Sequence, residues 1–294
     1  MPLSPMKISV LITTYNAEAW LEKVVWGYAA QTFRDFELII ADDGSRPQTT
    51  ELVASLRQQT GLDIVHLWQP DDGFQKCRIL NKAILAARYD YLVLSDGDCI
   101  PRADFLAVHA ARAAPGYFLS GSYYKLPMVT SEAISLDDIR SQRCFDIGWL
   151  RAHGLPTGRK NIKVMAGPST ARLLNATPPT RCNLKGSNAS LWREEALRDN
   201  GFDKRMQWGR RDREFGVRLR NSGVKARHVR FDAICLHLDH LRGYANPERV
   251  AFNKALRKSH ARQGTIESAQ GIRELVAAGF DPMQSIQPFS VNAL

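Results

Sequence analysis

Tyr91-Leu92-Val93-Leu94-Ser95-Asp96-Gly97-Asp98 is an apolar run that closes on two carboxylates one residue apart. A buried strand ending this way presents both acids at its carboxyl edge, where open α/β sheets bind ligands. Residues two apart on a strand share a face. Asp96 and Asp98 can therefore converge on one hard divalent cation that keeps positions for water and phosphate oxygens. By itself Asp-x-Asp is short, and a solvated acidic turn would read the same. Two further strand ends separate the readings. Leu38-Ile39-Ile40-Ala41-Asp42-Asp43-Gly44-Ser45 is a second apolar run closing on acids, and Ile8-Ser9-Val10-Leu11-Ile12 runs into Thr13-Thr14-Tyr15-Asn16. Three strand ends carrying polar groups within the first third of the chain describe a site for a nucleotide sugar.

Working outward, strands over 7–13, 36–41, 63–68 and 91–95 alternate with helices over 17–31, 47–59 and 75–88. That alternation implies βαβ units and a largely parallel sheet. Pro47 just after Ser45 fits a helix start, and Gln69-Pro70-Asp71-Asp72-Gly73 is turn chemistry. A helix over 103–113 leads to a strand over 117–122. Residues 125–182 hold Pro127, Pro156, Pro168, Pro178 and Pro179 with weak periodicity, which reads as short helices and loops, an acceptor-side lid. Helices over 191–200 and 212–222, each stopped by glycine, precede a strand over 226–238. A basic helix follows from Asn246 to about Gly264, and a last helix spans 267–278.

The chain of 294 residues, 44% hydrophobic, suffices for one large α/β domain or two joined halves. No run reaches the ~18–20 apolar residues of a membrane span, and Met1-Pro2-Leu3-Ser4-Pro5-Met6-Lys7 lacks a signal-peptide core. A soluble cytoplasmic protein is expected. Five scattered cysteines with no Cys-x-x-Cys fit free thiols in a reducing compartment. The net charge of +10 is uneven: residues 181–262 carry 20 Lys and Arg against 9 Asp and Glu, leaving the remainder near neutral. Such a basic half fits an acidic acceptor, nucleic acid or the anionic inner face of a membrane, or simply solvated helix faces. No nucleic-acid-binding motif accompanies it, so nucleic acid is set aside.

Val10-Leu11-Ile12-Thr13-Thr14-Tyr15-Asn16, the stretch from Gln31 to Ser45 and the Asp96/Asp98 pair, in this order and spacing, resemble family 2 glycosyltransferases of the GT-A fold. From Lys185 to about Tyr244, Gly186-Ser187-Asn188-Ala189-Ser190-Leu191-Trp192, Asn200-Gly201-Phe202-Asp203 and Trp208-Gly209-Arg210-Arg211-Asp212-Arg213-Glu214-Phe215 are similar to the carboxyl half of galactosyl- and N-acetylgalactosaminyltransferases, bacterial chondroitin-type polymerases among them. The resemblance implies an α/β GT-A fold with a nucleotide-sugar half over 1–105. An acceptor and catalytic-base half would cover 106–245 and a helical extension 246–294.

In the donor pocket Tyr15 can stack on a nucleobase while Thr13 offers backbone groups. Asp43, or its neighbour Asp42, can accept the imide N–H of uracil, which cytosine lacks. Arg78 would approach the base or diphosphate if the family topology holds. Asp98 is the first candidate ligand for Mg²⁺ or Mn²⁺, and Asp96 its partner toward ribose or metal. The resemblance adds a metal-binding histidine, for which His237 and His240 both stand. On a continuous strand they would point to opposite faces, so His240, at the strand's end, is favoured.

Relatives read Trp-Gly-Gly-Glu-Asp where this chain has Trp208-Gly209-Arg210-Arg211-Asp212, the final Asp being the base that deprotonates the acceptor. Asp212 keeps that position, but Arg211 replaces the glutamate, and a neighbouring cation weakens a carboxylate as a base. Three alternatives follow: Asp212 works regardless, Glu214 takes the role, or activity is impaired. Trp208 reads as a wall for a sugar ring or as core packing, and the resemblance sets Arg211 and Asn188 beside it on the acceptor side. The reading is metal-dependent transfer of a hexose or N-acetylhexosamine from a UDP-sugar to a hydroxyl of a glycan or glycolipid such as lipopolysaccharide or capsule, with the inversion that the resemblance implies. A nucleotidyltransferase and a catalytically impaired glycan-binding relative are the rivals. The first would carry a glycine-rich phosphate loop after the first strand, and Thr13-Thr14-Tyr15-Asn16 is not one.

Overall fold

The structure is a computed structural model that describes residues 6–177, 180, 182–241, 246–282 and 286. Strands β1 (Ile8–Thr14), β2 (Phe36–Asp42), β3 (Ile64–Trp68) and β4 (Tyr91–Asp96) alternate with helices α1 (Glu18–Ala29), α2 (Pro47–Thr60) and α3 (Lys76–Ala86). Next come β5 (Cys99–Pro101), α4 (Phe105–Arg112), β6 (Tyr117–Ser120) and β7 (Ser122–Lys125). Five short helices occupy the proline-rich stretch: α5 (Met128–Ala133), α6 (Leu136–Arg140), α7 (Ile147–Ala152), α8 (Ile162–Met165) and α9 (Pro168–Ala176). Then follow β8 (Ala189–Trp192), α10 (Arg193–Arg198), α11 (Arg211–Asn221), β9 (Lys225–His228), β10 (Ile234–His237), α12 (Pro247–Gln263) and α13 (Ile272–Ala277).

Seven strands form one sheet in the order β3-β2-β1-β4-β8-β6-β9. All neighbours are parallel except β8, which is antiparallel to β4 and β6. Strand order reverses at β1, so a crevice opens beyond the carboxyl ends of β1, β2 and β4, the usual ligand position. Register makes this concrete, with Thr13 opposite Asp96 and Thr14 opposite Asp42. The first strands are continuous apolar runs because both their faces are covered. Ile8, Val10 and Ile12 pack with α1 and α2, while Leu11, Ile39 and Leu67 pack with α3 on the other side. Helix α2 starts at Pro47 and ends on Gly61, whose φ of 67° is the left-handed turn that glycine accommodates.

Two expected strands prove to be pairs. The run over 117–122 breaks at Gly121, after which β7 leaves for a second, three-stranded sheet in the order β5-β10-β7. A Cβ on Gly121 would fall 2.3 Å from Asn188 Oδ1, so the break admits a close approach that only glycine allows. The run over 226–238 likewise divides into β9 and β10, one in each sheet. Residues 189–192 form β8, wedged between β4 and β6, so Leu191 and Trp192, expected to open the helix over 191–200, belong to a strand. Its Ser190 and Ala189 have little strand preference; pairing on both edges decides its state.

Candidate active site

One open cavity of about 1030 Å³ lies over these strand ends, lined by Thr13, Tyr15, Asp43, Asp96, Asp98, Trp208, Arg211, Asp212, His237 and His240 among others. Ten of the thirteen side chains expected at the site thus border one space. Arg78, Asn188 and Glu214 do not.

At the strand ends each carboxylate has hydrogen-bond partners. Asp96 Oδ1 accepts from Lys76 Nζ at 2.5 Å and from Thr13 Oγ1 at 3.0 Å. Burial pushes the Asp96 carboxyl up, but the charge and hydrogen bond of Lys76, the charge of Arg211 and the Thr13 hydroxyl outweigh it and hold it low. Gly97 N–H donates to the Thr13 carbonyl at 2.8 Å, tying the Asp-x-Asp turn to β1. Asp43 accepts from Gln69 Nε2 at 2.6 Å and from the Gln75 N–H at 2.9 Å. Burial nevertheless pushes its carboxyl up to about 6, against those bonds and the charge of Lys76. Asp42 is wholly buried and spent on structure, accepting from Ser45 N–H at 2.8 Å and meeting His66 Nε2 at 3.0 Å. Between the two acids, the structure therefore leaves Asp43 as the one bordering the cavity. Tyr15 is half exposed, and its hydroxyl donates to Asp71 at 2.8 Å.

On α3 the cation that borders the cavity is Lys76, not the expected Arg78. Lys76 is the first residue of α3, so it overhangs the strand ends. Arg78, two residues on and about 200° around the helix, is exposed outside the cavity. A turn-to-helix junction after Asp71-Asp72-Gly73 was legible; which basic residue sat on its first turn was the available signal.

Asp98 Oδ2 lies 3.1 Å from His240 Nε2 and 3.6 Å from His237 Nε2. The strand argument against both histidines fails because β10 ends at His237. The chain then turns, and the two rings stand 5.4 Å apart and nearly parallel on one carboxylate. Ligand atoms of Asp98, Cys99 and His237 lie within 4.8 Å of one another. The Cys99 thiol donates to Asp98 Oδ1 at 3.2 Å, and burial keeps it protonated by pushing its pKa well up. His237 Nδ1 is buried without a hydrogen-bond partner. One carboxylate and two imidazoles form a donor set that could hold a divalent metal ion.

On the acceptor side Asp212 sits in the first turn of α11, after Arg210 in the left-handed region (φ 63°). Its Oδ1 accepts from the Arg213 N–H at 2.8 Å and its Oδ2 from the Gly186 N–H at 3.2 Å, which fixes its orientation. Arg211 does not pair with it: among the described residues no ion pair joins them. The Arg211 guanidinium lies over the Phe74 ring at 5.3 Å, and its charge acts on Asp96, which puts it with Lys76 on the donor side. Asn253 of α12 donates to the carbonyls of Gln207, Trp208 and Gly209 at 3.2, 3.0 and 2.7 Å, holding the loop that carries Trp208. The remaining two expectations fall away from the cavity. Glu214 is fully buried in a pair with Arg218 (2.6 Å) and a hydrogen bond to His260 (2.7 Å). Asn188 is also fully buried, donating to the Ser122 and Ala233 carbonyls and meeting His109.

Part of the positive charge over 181–262 is used inside the fold. Arg198, Arg205 and Arg218 pair with Asp199, Asp203 and Glu214, Lys204 with Glu274, and Arg193 caps two α3 carbonyls. Arg181 and Arg242, like Pro178, Pro179 and Tyr244, lie outside the described residues. Among the described residues no helix is long and apolar enough to cross a membrane.

Residues 9–158 match the family model described as glycosyl transferase family 2. Chondroitin synthase of Escherichia coli is 27% identical over 235 residues, 76% of this chain and 33% of that protein. Validoxylamine A glucosyltransferase of Streptomyces hygroscopicus subsp. limoneus is 27% identical over 236 residues, 74% of this chain and 48% of its own. The chain thus spans a third to a half of these relatives' lengths. Among solved structures, Staphylococcus aureus TarS 1–349 in complex with UDP-GlcNAc superposes with a TM-score of 0.59 at 14% identity, covering 92% of this chain and 69% of that one. The mannosyltransferase PcManGT from Pyrobaculum calidifontis, in complex with GDP-Man and Mn²⁺, gives 0.56 at 18%, covering 96% and 79%. These likenesses establish the GT-A fold.

Proposed function

The chain belongs to glycosyl transferase family 2, and from that premise we propose that it transfers a hexose or N-acetylhexosamine from a UDP-sugar to a hydroxyl of a glycan or glycolipid acceptor, with inversion. The observation that carries the reading is the single cavity in which Asp96, Asp98, His237 and His240 face Asp212. Tyr15 and Asp43 would receive the uracil, the ring by stacking and the carboxylate by accepting the imide N–H. Lys76 and Arg211 stand where a diphosphate beside Asp96 gains negative charge as the glycosidic C–O bond breaks. Asp212, held by two backbone N–H groups, takes the proton of the acceptor hydroxyl as its oxygen attacks the anomeric carbon from the opposite face. Trp208 would floor the acceptor sugar. Asp98, His237 and His240 would hold Mn²⁺ or Mg²⁺, which supplies Lewis-acid neutralisation of the departing diphosphate. Structural relatives with UDP-GlcNAc and with GDP-Man and Mn²⁺ support donor type and cation. The basic carboxyl half would add contact with an anionic membrane surface, read by salt-sensitive co-sedimentation with phosphatidylglycerol vesicles.

The test is UDP release across a panel of UDP-sugars, with and without Mn²⁺. Release with one or two sugars, only with the cation, is expected. Release unaffected by chelation, or none with any UDP-sugar while GDP-sugars react, would overturn the donor or metal assignment.

A further inference from the structure

Three consecutive carbonyls, those of Gln207, Trp208 and Gly209, converge on one side-chain nitrogen. It is Nδ2 of Asn253 in α12, 45 residues beyond Trp208, at 3.2, 3.0 and 2.7 Å. Successive carbonyls point to opposite sides along a strand and run parallel along a helix. Neither regular state brings three of them onto one point. The chain here instead places two successive residues in the left-handed region, Gly209 at φ 93° and Arg210 at φ 63°. That conformation is unfavourable for arginine and lasts only where its surroundings over-determine it. Helix α11 begins at this point with no side-chain cap from Arg210.

Asn253 supplies that constraint. It is fully buried and does not itself border the cavity. Its Oδ1 has no hydrogen-bond partner among the described residues, so its side chain hydrogen-bonds to this loop alone. A turn earlier Val250 does border the cavity, with its Cγ2 3.3 Å from where a Cβ on Gly209 would stand. Helix α12 is in turn fixed to α11 further along. His260 meets Glu214 at 2.7 Å, and Asn221 donates to the His260 and Thr265 carbonyls at 3.1 and 2.8 Å. The helix is thus a fixed reference against which the loop is set, and the loop carries Trp208 and runs directly into Asp212.

We propose that Asn253 is a positioning residue for the transfer: through three carbonyls it sets the loop over 207–209, and with it the place of Trp208 and the orientation of the Asp212 carboxylate in the cavity. The inference deepens the transferase reading and rests on Asp212 being the base. Helix α12, expected as an extension beyond the acceptor half, is then part of the wall that the reaction uses. A primary amide suits the task because it offers two N–H groups and no charge. A misplacement of ~1 Å at the base is enough to cost about 10²-fold in rate.

Steady-state UDP release by the full chain, from the UDP-sugar it turns over best in the presence of Mn²⁺, tests the role. Asn253→Ala removes the donor; Asn253→Leu removes it while keeping the volume, should the smaller side chain fail to fold. Each should lower kcat about 10- to 100-fold, while KM for the UDP-sugar stays within about twofold. In an Asp212→Asn background, Asn253→Ala should cost less than about twofold further, because residues that act as a unit do not add. Asn221→Ala is the structural control. It cuts two hydrogen bonds between α11 and the end of α12 and should lower the melting temperature, with kcat within about twofold of the parent. Unchanged kcat in both Asn253 variants, a full further loss on top of Asp212→Asn, or an equal loss in Asn221→Ala overturns the positioning role. If Asp212→Asn alone turns over as the parent does, the base assignment fails and the inference with it. If the parent turns over no UDP-sugar, the donor reading fails and hydrogen exchange reads the clamp by itself. Asn253→Ala should then speed exchange of the amides over 207–213 and not of those over 91–98; unchanged exchange overturns the clamp.

Discussion

The two sides of one cavity, the strand ends and the wall that carries Asp212, treat charge differently. Around β1, β2 and β4, Asp96 is matched by Lys76, Asp42 by His66 and Asp98 by two imidazoles. Around Asp212, Arg213 borders the cavity with no ion pair among the described residues. Strand ends are rigid and placed by register, so a polar ligand set there can be pre-paired and still open to a substrate. The wall that carries Asp212 is assembled from the loop at Gly186 and the first turn of α11. A paired site binds by exchanging partners; an unpaired one binds by supplying the missing partner.

The largest effect should come from the donor side's only carboxylate shared by two imidazoles. Asp98→Ala is expected to lower transfer by about 10³-fold, as removal of a key electrostatic stabiliser does, with an unchanged melting temperature because the site is at a strand end. Near-normal turnover in chelator would show that the pairing has no catalytic role.

Glu214 tests whether the α11 acids belong to the site or to the fold. Glu214→Gln leaves the buried Arg218 charge uncompensated and should cost about 3 kcal/mol of stability, seen as a lower melting temperature. Turnover per folded molecule should not change. A stable but inactive variant would move the base from Asp212 to Glu214. Because burial is outweighed by His260 and Arg218, the Glu214 carboxyl is held below its usual value. Its stabilisation is therefore present above the unfolded carboxyl pKa of ~4.5 and lost as pH falls through the lower folded value.

Asp43 gives a pH signature. Its folded pKa of about 6 lies above the ordinary carboxyl value of 3.8, so in the free protein it withdraws stability as pH rises from about 4 to 6. The ionised form accepts the uracil N–H more strongly than the protonated one, which also carries an O–H that suits the N3 acceptor of cytosine. The ratio of UDP to CDP affinity, in which the diphosphate titration cancels, should fall about tenfold between pH 7 and pH 5. A flat ratio would remove Asp43 from base recognition.

The smallest effect separates two neighbouring cations. Lys76→Met should weaken UDP several-fold and Arg78→Met not measurably, as expected of a desolvated and an exposed charge. The reverse order would put the diphosphate on the other face of α3.

The first hundred residues were legible because their signal is local: apolar runs the length of a strand, buried on both faces, ending in the polar groups that the sheet then aligns. Asp96, Asp98, Thr13, Tyr15 and Asp43 followed from that pattern alone, and family resemblance supplied Asp212 and the two histidines. What the tertiary structure decided is where chain direction changes or charges meet. Two apparent strands split between sheets at Gly121 and at residues 229–233, letting His237 and His240 turn onto one carboxylate. Lys76 rather than Arg78 reached the cavity because helical rotation is measured from a start that sequence locates only to within a residue or two. Arg211 went to Phe74 and not to its neighbour Asp212, and Glu214 went to Arg218, because the partner of a long side chain is chosen among groups brought close by packing, not among those close in sequence.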